Sequence, residues 1–342
     1  MAPTDPNHAR PIGDDPSSPI APATAGRRSS AGRTGSDHRS DPVRLEMSWY
    51  EASARQRVAA FLDADTFEEF VGPTERAMSP HLPLFELPRA FDDGIVVGRG
   101  RLDGKPVLVA AQEGRFMGGA FGEVHGAKLV GLLRAALEVR PAAVLILFDT
   151  GGVRLQEANA GETAIAEAMR AITEVRAAGI PVVGLIGGRA GAYGGGGLIA
   201  GTCARLAVSE SGRISVSGPE VIETNRGAEE FDSRDRALVW RTMGGKHRRL
   251  TGGADAYVAD TVAAFRDAAL DLIARAPAFD LATLEAEQAR LEARLTRFGT
   301  CRDGADIWAR LGINDAQAVP AMTDAAFTEI AAGVPEASHD AR

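Results

Sequence analysis

Three clusters of glycine and polar residues in this 342-residue chain have the composition of sites that bind through backbone amides. The longest, residues 187–201, follows an apolar run at residues 180–186 and leads into Leu198, Ile199 and Ala200. A glycine has no Cβ, so a bound group can approach its backbone closely. Amides at the start of a helix are unpaired and attract negative charge. If these glycines lie where a strand passes into a helix, the segment binds an anion.

The other two clusters have the same position relative to predicted strands. Residues 114–128 follow the second strand of a predicted hairpin, and residues 149–157 follow the apolar run 144–148. Open α/β sheets bind ligands at the carboxyl ends of their strands, where these clusters would meet. A phosphate-binding loop is one alternative, but neither a Walker sequence nor a Gly-x-Gly-x-x-Gly fingerprint opening a βαβ unit is present. The other alternative is that the glycines only permit tight turns and close packing.

The segments between the clusters predict the elements that hold them. Residues 95–100 and 106–111 predict a hairpin around Asp103 and Gly104, because Asp-Gly is a favoured hairpin turn. Apolar runs then alternate with helix-length segments, which predicts parallel strands joined by crossover helices. Further predicted strands are residues 144–148, 181–186, 206–208 and 214–216, and the predicted helices are residues 53–70, 157–178, 281–297 and one entered near Gly195.

Composition limits the class of protein. Hydrophobic residues make up 45% of the chain and charged residues 25%, as in ordinary globular proteins. The formal net charge of −8 argues against bulk binding of nucleic acid. The two cysteines have no metal-ligand spacing, and no apolar run approaches the ~20 residues of a membrane span. The cysteine count and spacing favour a reducing cytoplasm and no metal site, and the N-terminus also lacks the apolar core of a secretory signal. We therefore expect a cytoplasmic protein with no bound metal.

Taken together, the motifs resemble the carboxyltransferase β-subunit family of the crotonase superfamily. They are residues 116–119, the run 149–157, and Gly194 and Gly195 with residues 218–223. Within this family the chain is similar to the β-subunits of biotin-independent malonate decarboxylases. That closer similarity rests on residues 49–55, 79–82, 189–195 and 241–248. The resemblance implies an α/β fold, a crotonase-like ββα spiral of the carboxyltransferase N-domain type with N- and C-terminal helices.

The resemblance also organises the chain into three parts. Residues 47–300 would form the crotonase-like catalytic domain, and residues 301–342 a C-terminal helical extension with a partly disordered tail. Residues 1–46 are rich in Pro, Ser, Gly and Asp and contain almost no large apolar side chains. Such a segment cannot bury enough apolar surface to offset its ordering entropy, so we predict a disordered N-terminal tail.

The family's chemistry implies that a malonyl group on an acyl carrier protein is decarboxylated to acetyl. A γ subunit would supply the other half of the site, with the acyl carrier protein and its transferase subunit as further partners. No cofactor is expected to bind tightly, because the substrate is carried on a phosphoribosyl-dephospho-CoA arm of the carrier protein. Two alternatives stay open: the β half of a biotin-dependent acyl-CoA carboxyltransferase, and a noncatalytic scaffold that docks a partner.

The glycine clusters suit this chemistry. Loss of CO2 from a malonyl thioester leaves an enolate, with negative charge on the thioester oxygen. A preorganised N–H group aimed at such an oxygen is typically worth about 3 kcal/mol. We expect one donor from Gly152 or Val153 and a second from Gly194 or Gly195. The candidates for the proton donor to the enolate are Tyr193, His125 and Glu157.

The remaining candidates would bind the substrate or its CoA-like arm. They are Gly118, Gly119, Arg154, Tyr193, Lys246, His247 and Arg248. Arg154 either forms an internal ion pair with Glu157, three residues later, or steadies the leaving carboxylate. The basic residues 246–248 lie in a predicted mobile loop between two glycine pairs. There they could meet the phosphates of the arm or the acidic face of a carrier protein, or form an ordinary solvated loop.

Overall fold

The computed structural model of the protein describes residues 46–334, and its main feature is a seven-stranded sheet in the order β1-β2-β3-β4-β5-β7-β9. β1, β2 and β3 pair antiparallel, and the pairs from β3 to β9 are parallel. A separate parallel pair is formed by β6 and β8. The strands are β1 Glu68–Phe70, β2 Ile95–Leu102, β3 Lys105–Gln112, β4 Ala143–Phe148, β5 Val182–Ile186, β6 Ala192–Tyr193, β7 Arg205–Val208, β8 Ile214–Ser215 and β9 Ala256–Tyr257.

Helices cover both faces of the sheet, so the predicted α/β class is confirmed. They are α1 Ala54–Phe61, α2 Glu123–Val139, α3 Asn159–Ala177, α4 Gly195–Thr202, α5 Pro219–Arg226, α6 Arg236–Met243, α7 Gly245–Leu250, α8 Val262–Ala274, α9 Leu281–Phe298, α10 Gly304–Arg310 and α11 Asp324–Ala332. The crossover helices α2, α3 and α4 pack on one face, while α1 and α8 pack on the other. In the part of the chain that the structure describes, no helix is long and apolar enough to cross a membrane.

The central strand β4 shows why the sheet is buried on both sides. All six of its residues are apolar and buried. Because side chains alternate along a strand, Val144, Ile146 and Phe148 enter the core beneath α2 and α3. The intervening Ala143, Leu145 and Leu147 enter the core beneath α1 and α8. A continuous apolar run is typical of a parallel strand covered by helices on both faces.

The predicted hairpin is confirmed. β2 and β3 pair from Ile95 opposite Gln112 to Leu102 opposite Lys105. The turn residues Asp103 and Gly104 have φ angles of 51° and 72°, which suit a two-residue turn with left-handed geometry. The hairpin ends β3 at Gln112, immediately before the first glycine cluster.

One predicted helix is shorter than expected. The segment 53–70 is helical only over Ala54–Phe61, and Glu68–Phe70 forms the edge strand β1. Leu62 is already extended, and the Asp63 carboxylate accepts hydrogen bonds from the amides of Asp103 and Gly104 in the hairpin turn. These contacts turn the chain toward β2, which an apolar periodicity alone does not reveal.

The C-terminal segment adds helices around a small core of its own. α9 matches the predicted helix over 281–297, and α10 and α11 follow it. Trp308 and Phe327 pack there with Leu250 of α7. The predicted N-terminal tail, apart from residue 46, and the last eight positions, 335–342, lie outside the described residues.

Candidate functional site

The three glycine clusters meet at the carboxyl ends of β3, β4 and β5, as the sequence predicts. The Gly151 amide donates to the Gly118 carbonyl at 2.7 Å, which joins the first loop to the second. The Tyr193 amide donates to the Thr150 carbonyl at 2.9 Å, which joins the second loop to the third. Short bridges between Phe121 and Val153, and between Thr150 and Ala192, extend these contacts. The loops therefore form one backbone-lined surface.

The closest approach within this surface is between Gly152 and Gly194. A Cβ at Gly194 would lie 3.3 Å from the Gly152 Cα, and a Cβ at Gly152 would lie 3.5 Å from the Tyr193 carbonyl oxygen. Gly152 has a φ of 126°, a conformation that residues with a side chain rarely adopt. The φ of Gly152 and the tight 3.3 Å approach at Gly194 favour glycine at both positions, which lets the two backbone segments lie against each other.

Of the four backbone amides at this junction, one donates a hydrogen bond within the described part of the protein and three do not. The Gly152 amide donates to the Thr150 hydroxyl at 3.2 Å. Within residues 46–334, the amides of Val153, Gly194 and Gly195 donate to no partner. Gly194 and Gly195 begin α4, so the helix dipole adds positive potential at the same point. The free donors lie in segments that are in backbone contact, so more than one unpaired amide is present at this junction.

Gly118 and Gly119 support this surface in different ways. A Cβ at Gly119 would lie 1.7 Å from the Asp149 carbonyl oxygen, so Gly119 allows the first loop to pack against the second. A Cβ at Gly118 would meet no atom within 4 Å. Gly118 therefore borders open space, where a ligand has access, whereas Gly119 is enclosed.

Arg154 forms buried ion pairs beneath the glycine-lined surface. Its guanidinium donates to the Asp93 carboxylate at 2.7 Å and to Glu157 at 3.1 Å, and the three side chains are fully buried. Glu157 also accepts the Glu123 amide at 2.5 Å. The internal ion pair predicted for Arg154 and Glu157 is confirmed. The prediction that Arg154 contacts the substrate is corrected, because its side chain is enclosed by these partners.

A second buried ion pair holds the same loops and was not foreseen from the sequence. Arg57 of α1 lies 2.9 Å from the Asp149 carboxylate at the end of β4. The other Asp149 oxygen accepts the Ala190 amide at 2.7 Å, and Gly114 and Gly188 pack directly against the carboxylate. Asp149 thus contacts all three loops. The available signal was its position directly after a wholly apolar strand, where a carboxylate needs a partner.

Two of the three candidate proton donors are structural. The His125 side chain is fully buried between Gln112 and the Asp93 carbonyl. Burial, together with the Arg154 charge, lowers the pKa of His125 well below its usual value, so the ring is neutral. Glu157 is engaged by Arg154 and the Glu123 amide.

Tyr193 differs from these two candidates. Its side chain is 6% exposed, and its hydroxyl has no hydrogen-bond partner among the residues that the structure describes. Burial raises the pKa of this phenol, so it stays protonated at neutral pH. Tyr193 therefore remains the candidate that still has a proton to donate.

The basic segment 246–248 is not a mobile loop, which corrects that prediction. It forms part of helix α7, where Lys246 is 4% exposed and His247 is 9% exposed. The Lys246 ammonium donates to the Met322 carbonyl at 2.5 Å, and the His247 ring lies 5.8 Å from Trp308. Arg248 is half-buried beside them. The C-terminal extension covers Lys246 and His247, and no local pattern around residue 246 indicates that packing.

Comparisons with known proteins agree with this geometry. Residues 51–290 match the carboxyl transferase domain. Over 300 residues the chain is 39% identical to the malonyl-S-ACP:biotin-protein carboxyltransferase MADC of Malonomonas rubra, covering 81% of this chain and 93% of that protein.

Two solved structures extend the comparison. A chain of a Pseudomonas malonate decarboxylase hetero-tetramer in complex with malonate is 40% identical, with a TM-score of 0.71 over 79% of this chain and 100% of that one. A chain of the Pseudomonas malonate decarboxylase MdcD-MdcE hetero-dimer is 38% identical, with a TM-score of 0.58 over 74% of this chain and 96% of that one. The predicted crotonase-like, carboxyltransferase-type fold is confirmed, and the chain belongs to the carboxyl transferase domain family.

Proposed function

We propose that this chain is the β subunit of a malonate decarboxylase and releases CO2 from malonyl-S-acyl carrier protein, leaving acetyl-S-acyl carrier protein. The observation that carries the proposal is the backbone junction between Gly152 and Gly194, with unpaired amides on both sides. The similarity to malonate decarboxylase chains supports the choice of a malonyl substrate.

In the proposed reaction the bond between the malonyl methylene carbon and its carboxylate breaks, and CO2 leaves as a neutral molecule. The electron pair of that bond passes into the thioester, so negative charge develops on the thioester oxygen. The Val153 amide would donate to this oxygen from one side, and Gly194 or Gly195 from the other. The Gly152 amide is occupied by Thr150, which favours Val153 over Gly152 as the first donor. The Tyr193 hydroxyl would donate a proton to the carbon, which completes the acetyl group, and would regain a proton from water.

The proposal includes partners and a carried substrate. A γ subunit would complete the site, as supported by the hetero-dimeric and hetero-tetrameric assemblies of the Pseudomonas relatives. The malonyl group would arrive on a phosphoribosyl-dephospho-CoA arm of an acyl carrier protein, loaded by a transferase subunit. The chain itself would bind no cofactor tightly.

A second candidate activity, transfer of the carboxyl group to biotin, is supported by a relative. The relative in Malonomonas rubra is by name a carboxyltransferase from malonyl-S-ACP to a biotin protein. The same oxyanion donors would serve both reactions, because both remove a carboxyl group from a malonyl thioester and leave the same enolate. They differ in whether the carboxyl group is released or transferred to biotin.

One assay separates the two candidates. The chain and its γ partner are supplied with malonyl-S-acyl carrier protein, and CO2 and acetyl-S-acyl carrier protein are measured with and without avidin to sequester biotin. We expect equal CO2 release in both conditions. A strict requirement for biotin would replace the first candidate with the second. Absence of any turnover with a folded complex would reject both.

A further inference from the structure

Helix α9 carries a stripe of leucines that the described part of the structure leaves about half exposed or more. Leu281, Leu284, Leu291 and Leu295 are 70%, 47%, 46% and 73% exposed. Their spacing, with Gln288 between them, follows the alternating three- and four-residue steps of heptad positions a and d. The stripe therefore lies along one side of the helix.

The orientation of α9 is the reverse of an ordinary surface helix. Its half-buried positions include Arg290, Ala293, Arg294 and Arg297, so the arginine side of the helix faces the body of the protein. Burial lowers the pKa of the Arg294 guanidinium. Amphipathic helices normally turn their apolar side inward. A contiguous exposed apolar stripe on such a helix marks an interaction surface.

The residues beside the stripe disfavour self-pairing of α9. Glu285 and Glu292 occupy position e, and Glu287 and Arg294 occupy position g. In a parallel pair, Glu287 would face Glu292 of the other copy. In an antiparallel pair, the glutamates at e would face one another at one edge, while at the other edge Glu287 would face Arg294, which is half-buried against the body of the protein. Each arrangement therefore places like charges together along at least one edge of the apolar contact, which is destabilising.

We propose that α9 docks an amphipathic helix of a different polypeptide, one whose apolar stripe is flanked by lysine or arginine. Basic residues at the flanks would pair with Glu285 and Glu292, where two copies of α9 repel. Gln288 lies within the stripe, and its amide nitrogen donates to Glu292 at 2.8 Å. A polar group of the partner helix at the remaining hydrogen-bonding sites of this amide would fix the register. A cavity of about 350 Å³ lined by Leu291, Leu295, Phe298 and other residues would receive a bulky apolar side chain.

The probes are two designed helical peptides of about 20 residues with the same leucines at a and d. One carries lysine at e and g, and the other carries glutamate there. Binding to the full chain is measured by fluorescence anisotropy. We expect the lysine peptide to bind at least about tenfold more tightly than the glutamate peptide. The charge reversal Glu285→Lys with Glu292→Lys should invert this preference.

A matched pair of variants tests the stripe itself. Leu284→Ser with Leu295→Ser should weaken binding of the lysine peptide by about tenfold or more. Ala282→Ser with Ala286→Ser changes two exposed positions of the same helix outside the stripe and should leave binding unchanged. Circular dichroism and the thermal midpoint establish that both variants are folded.

Two outcomes overturn the proposal. Equal binding, or no binding, of the two peptides would reject a basic helical partner. A concentration-dependent dimer of the chain in sedimentation velocity, abolished by Leu284→Ser with Leu295→Ser, would assign the stripe to a second copy instead. Neither outcome depends on decarboxylase activity, so the proposed function and this inference fail separately.

Discussion

The Arg57 guanidinium lies 2.9 Å from the Asp149 carboxylate, and the two side chains are only 1% and 3% exposed. Arg57 also donates to the Trp49 carbonyl at 2.9 Å. Through this pair, the N-terminal helix α1 is linked to the carboxyl end of β4 and to the loop that contains Ala190. The geometry of the glycine-lined surface therefore depends on a helix that precedes the whole parallel sheet in sequence.

We predict that Asp149→Asn destabilises the protein strongly. Removing one partner leaves the Arg57 charge buried and uncompensated, which typically costs about 3–5 kcal/mol. The free energy of unfolding from urea denaturation measures this loss. The matched control is Glu68→Gln, whose ion pair with Arg99 is exposed on both sides and contributes little to stability. An Asp149→Asn variant as stable as Glu68→Gln would contradict the role assigned to the pair.

Gly152→Ala should reduce turnover of the assembled enzyme. Alanine is strained at a φ of 126°, so the substitution should shift the backbone that carries the Val153 amide. Displacing one oxyanion donor typically lowers kcat by about 10²–10³. Steady-state kinetics with malonyl-S-acyl carrier protein provides the measurement. Gly201→Ala is the control, because a Cβ there meets nothing within 4 Å. Equal losses in the two variants would remove Gly152 from the site.

Replacing Arg154 should affect folding more than substrate affinity. We predict that Arg154→Leu loses about 3–5 kcal/mol of stability, because Asp93 and Glu157 would be left as unpaired buried carboxylates. Urea denaturation measures the loss, and the KM of the remaining folded enzyme should stay near that of the wild type. A stable variant with a greatly raised KM would restore the substrate-binding role predicted from the sequence.

The pH dependence of stability should include a contribution from His247. Burial lowers the pKa of His247 to about 3, while the unfolded chain has a pKa near 6.5. The unfolded state takes up the proton first, so stability is full above about pH 6.5 and is lost as pH falls toward 3. The slope approaches about 1.4 kcal/mol per pH unit. His247→Gln should show a shallower loss between about pH 7 and pH 4.5, and parallel curves for the two proteins would exclude this contribution.

The sheet and the meeting of the glycine clusters could be predicted because both follow local rules. The apolar run at 144–148 identifies a buried parallel strand, and Asp103-Gly104 identifies the hairpin turn. The partners of the buried charges could not be predicted this way. Arg57 and Asp149 are 92 positions apart, and Lys246 is covered by carbonyls near residue 320. Such contacts depend on tertiary packing, which leaves no periodic signal near either residue.

The junction between Gly152 and Gly194 consists of main chain, and this has a consequence for how the site can change. Mutation replaces side chains but leaves peptide groups in place, so the proposed charge-stabilising element would change only through backbone strain at its glycines. Altered substrate choice must then arise from the surrounding side chains and from whatever polypeptide faces them. In a laboratory evolution experiment, variants with new acyl specificity should keep both glycines and accumulate their substitutions elsewhere.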